Sequence, residues 1–224
     1  TTLFRSDGID RQSASDGILS KFFMSRTFSF LRSNDLIYRP AIRSYMMGDA
    51  PPAFDLLYWN GDGTNLPARM AVEYLRGLCQ RDGFAKGDFP VFGNPVRLDG
   101  VKLPVCAIAC ETDHIAHWKG SFNSIRQMGS KDKTFILSQS GHIAGIINPP
   151  SKGKYGHYTN DGPMTAPEDW LAGATFHQGS WWPRWGEWLA GHSGKKIKAR
   201  VPGDSVHPVL CDAPGTYVTA RPKA

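Results

Sequence analysis

The second half of the chain alternates between apolar runs and amphipathic segments. Residues 101–110 (VKLPVCAIAC) and 134–140 (TFILSQS) are apolar on both faces, which is typical of strands covered by helices on either side. Between them, residues 118–128 show the spacing of an amphipathic helix. A strand, a crossover helix and a second strand predict a parallel βαβ unit and therefore an α/β fold.

Elsewhere the pattern is mainly helical. Apolar side chains recur at helical spacing over residues 21–47 and 70–81. Within the first of these segments, Ser33-Asn34-Asp35 interrupts the pattern, and Asn34 is expected to cap a helix that begins at Asp35. A hairpin is predicted at 91–99 with its turn at 93–95, and a long polar loop is predicted after Pro150. Two further helices are predicted at 167–172 and 181–190. The second of them is dense in tryptophan and is interpreted as a packing element.

A residue with catalytic chemistry stands just past the end of each buried run, Asp113 after the first and His142 after the second. In α/β-hydrolases the acid and then the histidine of the triad follow successive strands in this order. The carboxylate fixes the tautomer of the histidine, and Gly141 is expected to leave space beside His142. The alternatives are that Asp113 only caps the following helix and that His142 is an ordinary hydrogen-bonded loop histidine.

No nucleophile accompanies this predicted pair. A nucleophile elbow needs Gly-x-Ser-x-Gly or a Cys at its centre, and none of the four cysteines has glycines in those positions. The nearest serine approximation, at 191–195, ends in Lys and follows the histidine. Cys106 and Cys110 lie within the apolar run and are interpreted as core residues, with Cys110 as nucleophile the disfavoured alternative. The remaining two are Cys79 in a helical pattern and Cys211 near the end.

The spacing Asp113-His114-x-x-His117 also permits a metal site. A zinc-type site is disfavoured, because no Glu stands in the HExxH position and no second Cys or His pair lies nearby. No metal is therefore expected.

Composition narrows the class of protein. The chain has 224 residues, 41% of them hydrophobic, and a net charge of +6 to which the run GKKIKAR (194–200) contributes. Such a run is a solvated surface or a contact for an anionic partner, and no nucleic-acid-binding signature accompanies it. We see no signal peptide and no apolar stretch near the about 18 residues of a membrane span, and four unpatterned cysteines fit a reducing compartment. A fragment of a longer cytosolic protein is the simplest expectation.

Several long motifs carry a resemblance to one enzyme family. They are TFSFLRSNDLIY (27–38), FDLLYWNGDGTNLP (54–67), DHIAHW (113–118), SGHIAGIINPP (140–150), DWLAGATFHQGSWWPRW (169–185) and PGTYV (214–218). These closely resemble segments of class I polyhydroxyalkanoate synthases, and the resemblance covers nearly the whole chain from about residue 20.

The resemblance implies the C-terminal portion of an α/β-hydrolase fold with a largely helical cap. It divides the chain into a poorly matched N-terminal edge (1–20), a cap segment with the return to the core (21–95), the C-terminal half of the hydrolase core (96–193) and a basic tail (194–224).

The resemblance also implies an acyltransferase that polymerises (R)-3-hydroxyacyl-coenzyme A, with release of coenzyme A, through a Cys-His-Asp triad whose Cys lies upstream of this chain. Asp113 matches the family aspartate, which either activates the hydroxyl of the incoming unit or supports the histidine, and His142 matches the general base that makes the thiolate. His114, Trp59 and Asn60 are weaker substrate-side candidates. No cofactor is expected; the partners would be the substrate, the growing polyester, a second copy through the cap and the cytoplasmic polymer granule. The alternatives are a non-catalytic family fragment that serves binding or dimerisation and, disfavoured by the missing elbow, a generic esterase.

Overall fold

The structure is a computed structural model that describes residues 8, 10, 11, 14–31, 33–50, 63–217 and 220. The chain forms two compact units, one made of Thr1–Arg81 with Ala199–Ala224 and the other of Asp82–Lys198. Each unit has its own arrangement of helices and strands.

The described residues of the first unit form helices and a short antiparallel strand pair. Strands β1 (Ile18–Leu19) and β2 (Leu66–Pro67) pair with each other, and Leu19, Ala71 and Val72 form a small buried cluster beside them. The helices confirm the predicted helical segments 21–47 and 70–81. They are α1 (Lys21–Leu31), α2 (Arg39–Ala41) and α3 (Ala68–Glu73), with π-helical segments at Asn34–Tyr38, Ile42–Met46 and Tyr74–Gln80.

The predicted cap at Asn34 is wrong. Ser33, the residue before it, has helical backbone angles (φ −56°, ψ −37°), and Asn34 itself is the first residue of a π-helical segment. An N-cap residue instead has an extended backbone and receives a hydrogen bond from the next turn through its side chain. The polar triplet 33–35 is therefore itself helical, and Gly48, with φ of 74°, follows the last helical segment, Ile42–Met46.

The second unit opens with helix α4 (Gly83–Lys86) and the predicted hairpin, whose strands are β3 (Phe89–Val91) and β4 (Asn94–Val96). The predicted turn at 93–95 is wrong by one residue. The chain reverses at Phe92 and Gly93, with φ of 48° and 79°, as the two central residues of a type I′ turn require. Asn94 and Pro95 then belong to the second strand.

A four-stranded sheet forms the centre of this unit, in the order β5, β6, β7, β8. Strands β5 (Val105–Cys110) and β6 (Lys133–Ser138) are parallel, and helix α5 (Trp118–Gln127) connects them, which confirms the predicted βαβ unit. Strands β7 (His157–Thr159) and β8 (Thr175–His177) extend the sheet antiparallel. The predicted long loop after Pro150 is therefore wrong in part. The helices that follow, α6 (Pro167–Ala172) and α7 (Trp182–Gly191), agree with prediction.

Aromatic side chains fill the space between α5 and the sheet. Phe122 is fully buried, and its ring centroid lies 5.2 Å from that of Phe135 and 5.7 Å from that of Trp170. Full burial of a side chain of this kind contributes roughly 1.5–3 kcal/mol. Strands β5 and β6, which lead into the loops of the predicted site residues, thereby pack against an aromatic layer.

The chain is thus a mixed helix and sheet protein of the α/β type. Among the described residues, no helix has both the length and the apolar character that crossing a bilayer demands.

Candidate active site

Asp113 lies in a tight turn just beyond β5. Its backbone N–H donates to the carbonyl of Cys110, and its Oδ1 accepts hydrogen bonds from the backbone N–H groups of Ile115 (2.8 Å) and Ala116 (2.9 Å). The side chain therefore caps the turn of residues 113–116. The alternative that Asp113 caps the following helix is wrong, because α5 begins at Trp118 and its N-cap residue is His117. Only one carboxylate oxygen is used in this way, so Oδ2 remains available for a second partner.

That second partner is His142. Its Nδ1 lies 2.8 Å from Oδ2 of Asp113, so the structure brings the two predicted residues together. The loops that carry them are joined by a backbone hydrogen bond from Thr112 N to Ser140 O (3.1 Å), and Ser140 has a left-handed backbone with φ of 75°. This turn directs the chain after β6 back toward the end of β5.

Burial differs sharply between the two members of this pair. The side chain of Asp113 is 7% exposed, whereas that of His142 is 46% exposed. Burial alone raises the pKa of Asp113, but the hydrogen bonds from His142, Ala116 and Ile115 outweigh it and lower the pKa to about 2. Asp113 is therefore an anion at neutral pH, and the imidazole that it orients faces outward.

The other predicted site residues are placed as follows. His114 is exposed in the turn beside Asp113, whereas Trp59 and Asn60 lie outside the described residues. Their roles stay predictions. In the part of the chain that the structure describes, no three His, Cys, Asp or Glu side chains converge as metal ligands.

The cysteines of the sheet have the properties of core residues. Cys110 is 1% exposed, and burial, with a smaller effect of the Asp113 charge, raises the pKa of its thiol to about 11. Burial and the charge of Asp132 raise the pKa of Cys106 to about 11 as well. A thiol of this kind is protonated at neutral pH and is a poor nucleophile. Ser193, the serine of the 191–195 segment, donates its hydroxyl to the carbonyl of Leu189 at the end of α7.

Two tryptophans and a glycine shape the loop of His142, and the sequence analysis did not identify them. The indole Nε1 of Trp181 donates to the carbonyl of Gly145 (2.9 Å), and that of Trp182 donates to the carbonyl of Ile146 (3.0 Å). A Cβ on Gly145 would stand only 2.6 Å from the Sγ of Cys110. The tryptophan density of 181–190 was the available signal, because a buried indole N–H usually finds an acceptor.

A buried aspartate paired with an exposed histidine, at the adjoining ends of two parallel strands, defines an α/β protein with an acid–histidine site. No protein-family model matches the chain. Curated relatives do. The chain is 43% identical over 200 residues to the poly(3-hydroxyalkanoate) polymerase subunit PhaC of Cupriavidus necator. The matched region covers 88% of this chain and 34% of the relative.

Two further relatives are also named poly(3-hydroxyalkanoate) polymerases. The poly(3-hydroxyalkanoate) polymerase of Methylorubrum extorquens is 44% identical over 216 residues, covering 95% of this chain and 35% of the relative. Poly(3-hydroxyalkanoate) polymerase 2 of Ectopseudomonas oleovorans is 38% identical over 212 residues, covering 94% of this chain and 38% of the relative. The chain belongs to the poly(3-hydroxyalkanoate) polymerase family, and it spans about a third of the length of these relatives.

Proposed function

We propose that this chain supplies the acid and the base of an acyltransferase that polymerises (R)-3-hydroxyacyl-coenzyme A into polyhydroxyalkanoate. The observation that carries the proposal is the 2.8 Å contact between Asp113 and His142 in a chain of this family. The nucleophilic Cys of the triad is proposed to belong to the part of the polymerases that this chain does not match.

The chemistry assigned to each residue follows from its environment. The Asp113 carboxylate accepts the Nδ1 proton of His142, so the lone pair of the imidazole is on Nε2. Nε2 removes the thiol proton of the Cys, and the thiolate attacks the thioester carbonyl. The carbon–sulfur bond to coenzyme A breaks, the acyl group stays on the Cys, and the imidazolium returns its proton to the departing thiolate.

Chain growth uses the same base. The hydroxyl of a 3-hydroxyacyl unit loses its proton to the imidazole and attacks the acyl-cysteine, so an ester bond forms as the cysteine thiolate leaves. Asp113, charged at neutral pH, stabilises the imidazolium in each step. His114, Trp59 and Asn60 are proposed as substrate-side contacts.

The finer fold assignment is part of the same proposal. Residues 96–193 are assigned to the C-terminal half of an α/β-hydrolase core, residues 21–95 to a helical cap with its return, and residues 194–224 to a basic tail. The parallel strand pair β5–β6 with its crossover helix supports the core assignment, and the helices within 21–47 support the cap. Dimerisation through the cap and association with cytoplasmic polymer granules are expected for such a protein.

A chimera tests the function. The matching third of the Cupriavidus necator polymerase is replaced by this chain, and coenzyme A release from (R)-3-hydroxybutyryl-coenzyme A is followed with a thiol reagent while polymer is weighed. The chimera is expected to form polymer, and His142→Gln or Asp113→Asn should slow release by roughly 100-fold or more. The 224-residue chain alone should release none.

A matched control is available at His207 and Asp204, an exposed His–Asp pair 3.5 Å apart in the other unit. His207→Gln and Asp204→Asn should leave the rate unchanged. The proposal fails if the folded chimera makes no polymer, or if it polymerises normally with His142→Gln.

A further inference from the structure

Two indole groups contact the turn that follows His142. Trp181 and Trp182, at the start of α7, lie 36 residues beyond the carbonyls that they bind, those of Gly145 and Ile146. The two acceptors are consecutive in the chain, and the two donors are as well. The sequence interpretation of this helix as a packing element does not account for paired hydrogen bonds to one turn.

We propose that Trp181 and Trp182 are positioning residues, whose indole N–H groups hold the turn after His142 so that the imidazole meets Asp113. This inference rests on the proposed function, because the position of His142 matters for catalysis only if that residue is the base. It adds two residues that act on the site without touching substrate.

The turn is suited to transmit this restraint. Gly145 N donates to the carbonyl of Gly141 (2.9 Å), and Ile147 N donates to that of Ile143 (2.8 Å), so residues 141–147 form a compact helical turn. The carbonyl of Gly145 also accepts a hydrogen bond from Ser138 Oγ (2.9 Å) at the end of β6. His142 is therefore the second residue of a hydrogen-bonded unit rather than a free loop residue.

Contact with the neighbouring strand fixes the unit relative to Asp113. Gly145 lies so close to Cys110, the last residue of β5, that an added Cβ would meet its Sγ at 2.6 Å. Just after the turn, the fully buried Asn148 donates its amide to the carbonyl of Tyr155 (3.0 Å). The indoles add to this enclosure, because they bind the carbonyls of Gly145 and Ile146 from the start of α7.

Two other tryptophans of the same unit bury the indole N–H without a hydrogen bond to any described residue, which allows packing to be compared with hydrogen bonding. Trp170 and Trp188 also bury their indole Nε1 atoms, but those atoms have no hydrogen-bond partner among the described residues. A buried indole in this protein therefore does not need an acceptor to be accommodated. The contacts of Trp181 and Trp182 with one turn distinguish them from these two side chains.

The test uses the 224-residue chain and does not depend on turnover. With ¹⁵N-labelled histidine, the Nδ1–H of His142 gives a proton signal that His142→Gln identifies. In Trp181→Phe combined with Trp182→Phe, solvent exchange of this proton should accelerate roughly tenfold, as expected for loss of hydrogen bonds that restrain the turn. The acid titration midpoint of the Asp113 carboxyl, about 2, should rise in the same variant.

Trp188→Phe is the matched control, because it removes an indole N–H that has no partner, from the same helix. It should leave both the exchange rate and the Asp113 midpoint unchanged. The proposal is overturned if the double variant, folded by circular dichroism, also leaves both unchanged, or if Trp188→Phe changes them equally.

The parent chain provides a second measurement that needs no variant to fold. The indole protons of Trp181 and Trp182 should exchange at least roughly tenfold more slowly than that of Trp185, whose side chain is 40% exposed. Equal rates would refute the hydrogen bonds themselves. An inactive chimera with these signals intact would instead count against the proposed function alone.

Discussion

His142 Nδ1 lies 2.8 Å from Asp113 Oδ2, although 29 residues separate them in the chain. The contact follows from strand register, since Cys110 at the end of β5 pairs with Ser138 at the end of β6. Both loops therefore begin at the same level of one sheet edge. Within the described part of the chain, Nε2 of His142 has no hydrogen-bond partner, and its side chain is 46% exposed. The imidazole is therefore held by Asp113 through Nδ1 alone and is about half exposed.

His142→Ala should raise the pKa of Asp113. The carboxyl has a pKa of about 2 instead of the ordinary 3.8, because its hydrogen bonds to His142 and to the backbone outweigh the opposing effect of burial. Removal of the imidazole eliminates one of these contributions, while the N–H groups of Ile115 and Ala116 remain. The midpoint should rise measurably, as followed by the carboxyl ¹³C shift of Asp113 during acid titration.

His207→Ala provides the comparison, since His207 also faces an aspartate but at an exposed position in the other unit. This variant should leave the Asp113 midpoint at about 2. An unchanged midpoint in His142→Ala would mean that the two side chains are not paired in solution.

The pair could be predicted from sequence because it depends on buried parallel strands. The runs around β5 and β6 are apolar on both faces, and the crossover helix between them has a clear amphipathic pattern, so the strand ends and their order are readable. Side chains directly after such strands must lie at a common edge. Asp113 and His142 needed no other information to be placed together.

The features that sequence could not supply depend on short elements and distant contacts. Strands β7 and β8 have three residues each, too few for alternation to show, and β7 places polar His157 and Thr159 in buried positions. The contact of Trp181 with Gly145 joins positions 36 residues apart. The tryptophan density of 181–190 indicates buried indole donors, but it cannot indicate which backbone carbonyl accepts from them. Likewise, Gly141 was expected to be the space-making glycine, but the tight approach is at Gly145.

Gly145→Ala should destabilise the second unit. The new Cβ would lie 2.6 Å from Cys110 Sγ and 2.7 Å from the carbonyl oxygen of Gln139, and a backbone carbonyl within a hydrogen-bonded loop cannot easily move away. Overpacking of this kind costs about 1–3 kcal/mol in the free energy of unfolding. Urea unfolding followed by tryptophan fluorescence measures the change.

Gly186→Ala should instead raise the free energy of unfolding. Gly186 lies in α7, and an added Cβ there would meet nothing within 4 Å. Alanine at an exposed helical glycine stabilises by about 0.5–1 kcal/mol. If Gly145→Ala proves as harmless as Gly186→Ala, the close contact with Cys110 does not exist in solution.

The cysteines should fall into two reactivity classes. Cys79 and Cys211 are exposed, whereas burial raises the pKa of Cys106 and Cys110 to about 11. At neutral pH about one thiol in ten thousand of the latter kind is ionised, so alkylation there should be slow. Iodoacetamide labelling of the native chain, read by peptide mass spectrometry, should modify Cys79 and Cys211 first. Rapid labelling of Cys110 would contradict its interpretation as a core residue and would support the alternative that it is a nucleophile beside Asp113.

His192 should make the stability of the second unit depend on pH near neutrality. It follows α7, where its Nδ1 lies 2.8 Å from the carbonyl of Trp188 and its Nε2 lies 3.0 Å from Oδ2 of Asp132 before β6. The Trp188 carbonyl, followed by Asp132, raises the pKa of His192 above the ordinary 6.5. The protonated ring donates to both oxygens, whereas the neutral ring has only one N–H.

The direction of this pH dependence follows from the raised pKa of His192. Folding favours the protonated form of His192, so its stabilisation is fully present below pH 6.5 and is lost as the pH rises through the folded-state pKa. In His192→Gln the side chain does not titrate. The difference in urea midpoint between the parent chain and His192→Gln should therefore be largest at acidic pH and shrink above neutrality. His157, whose pKa burial lowers, is present in both proteins and cancels in this difference. A difference that is constant with pH, or that grows as the pH rises, would show that His192 does not bridge α7 to Asp132.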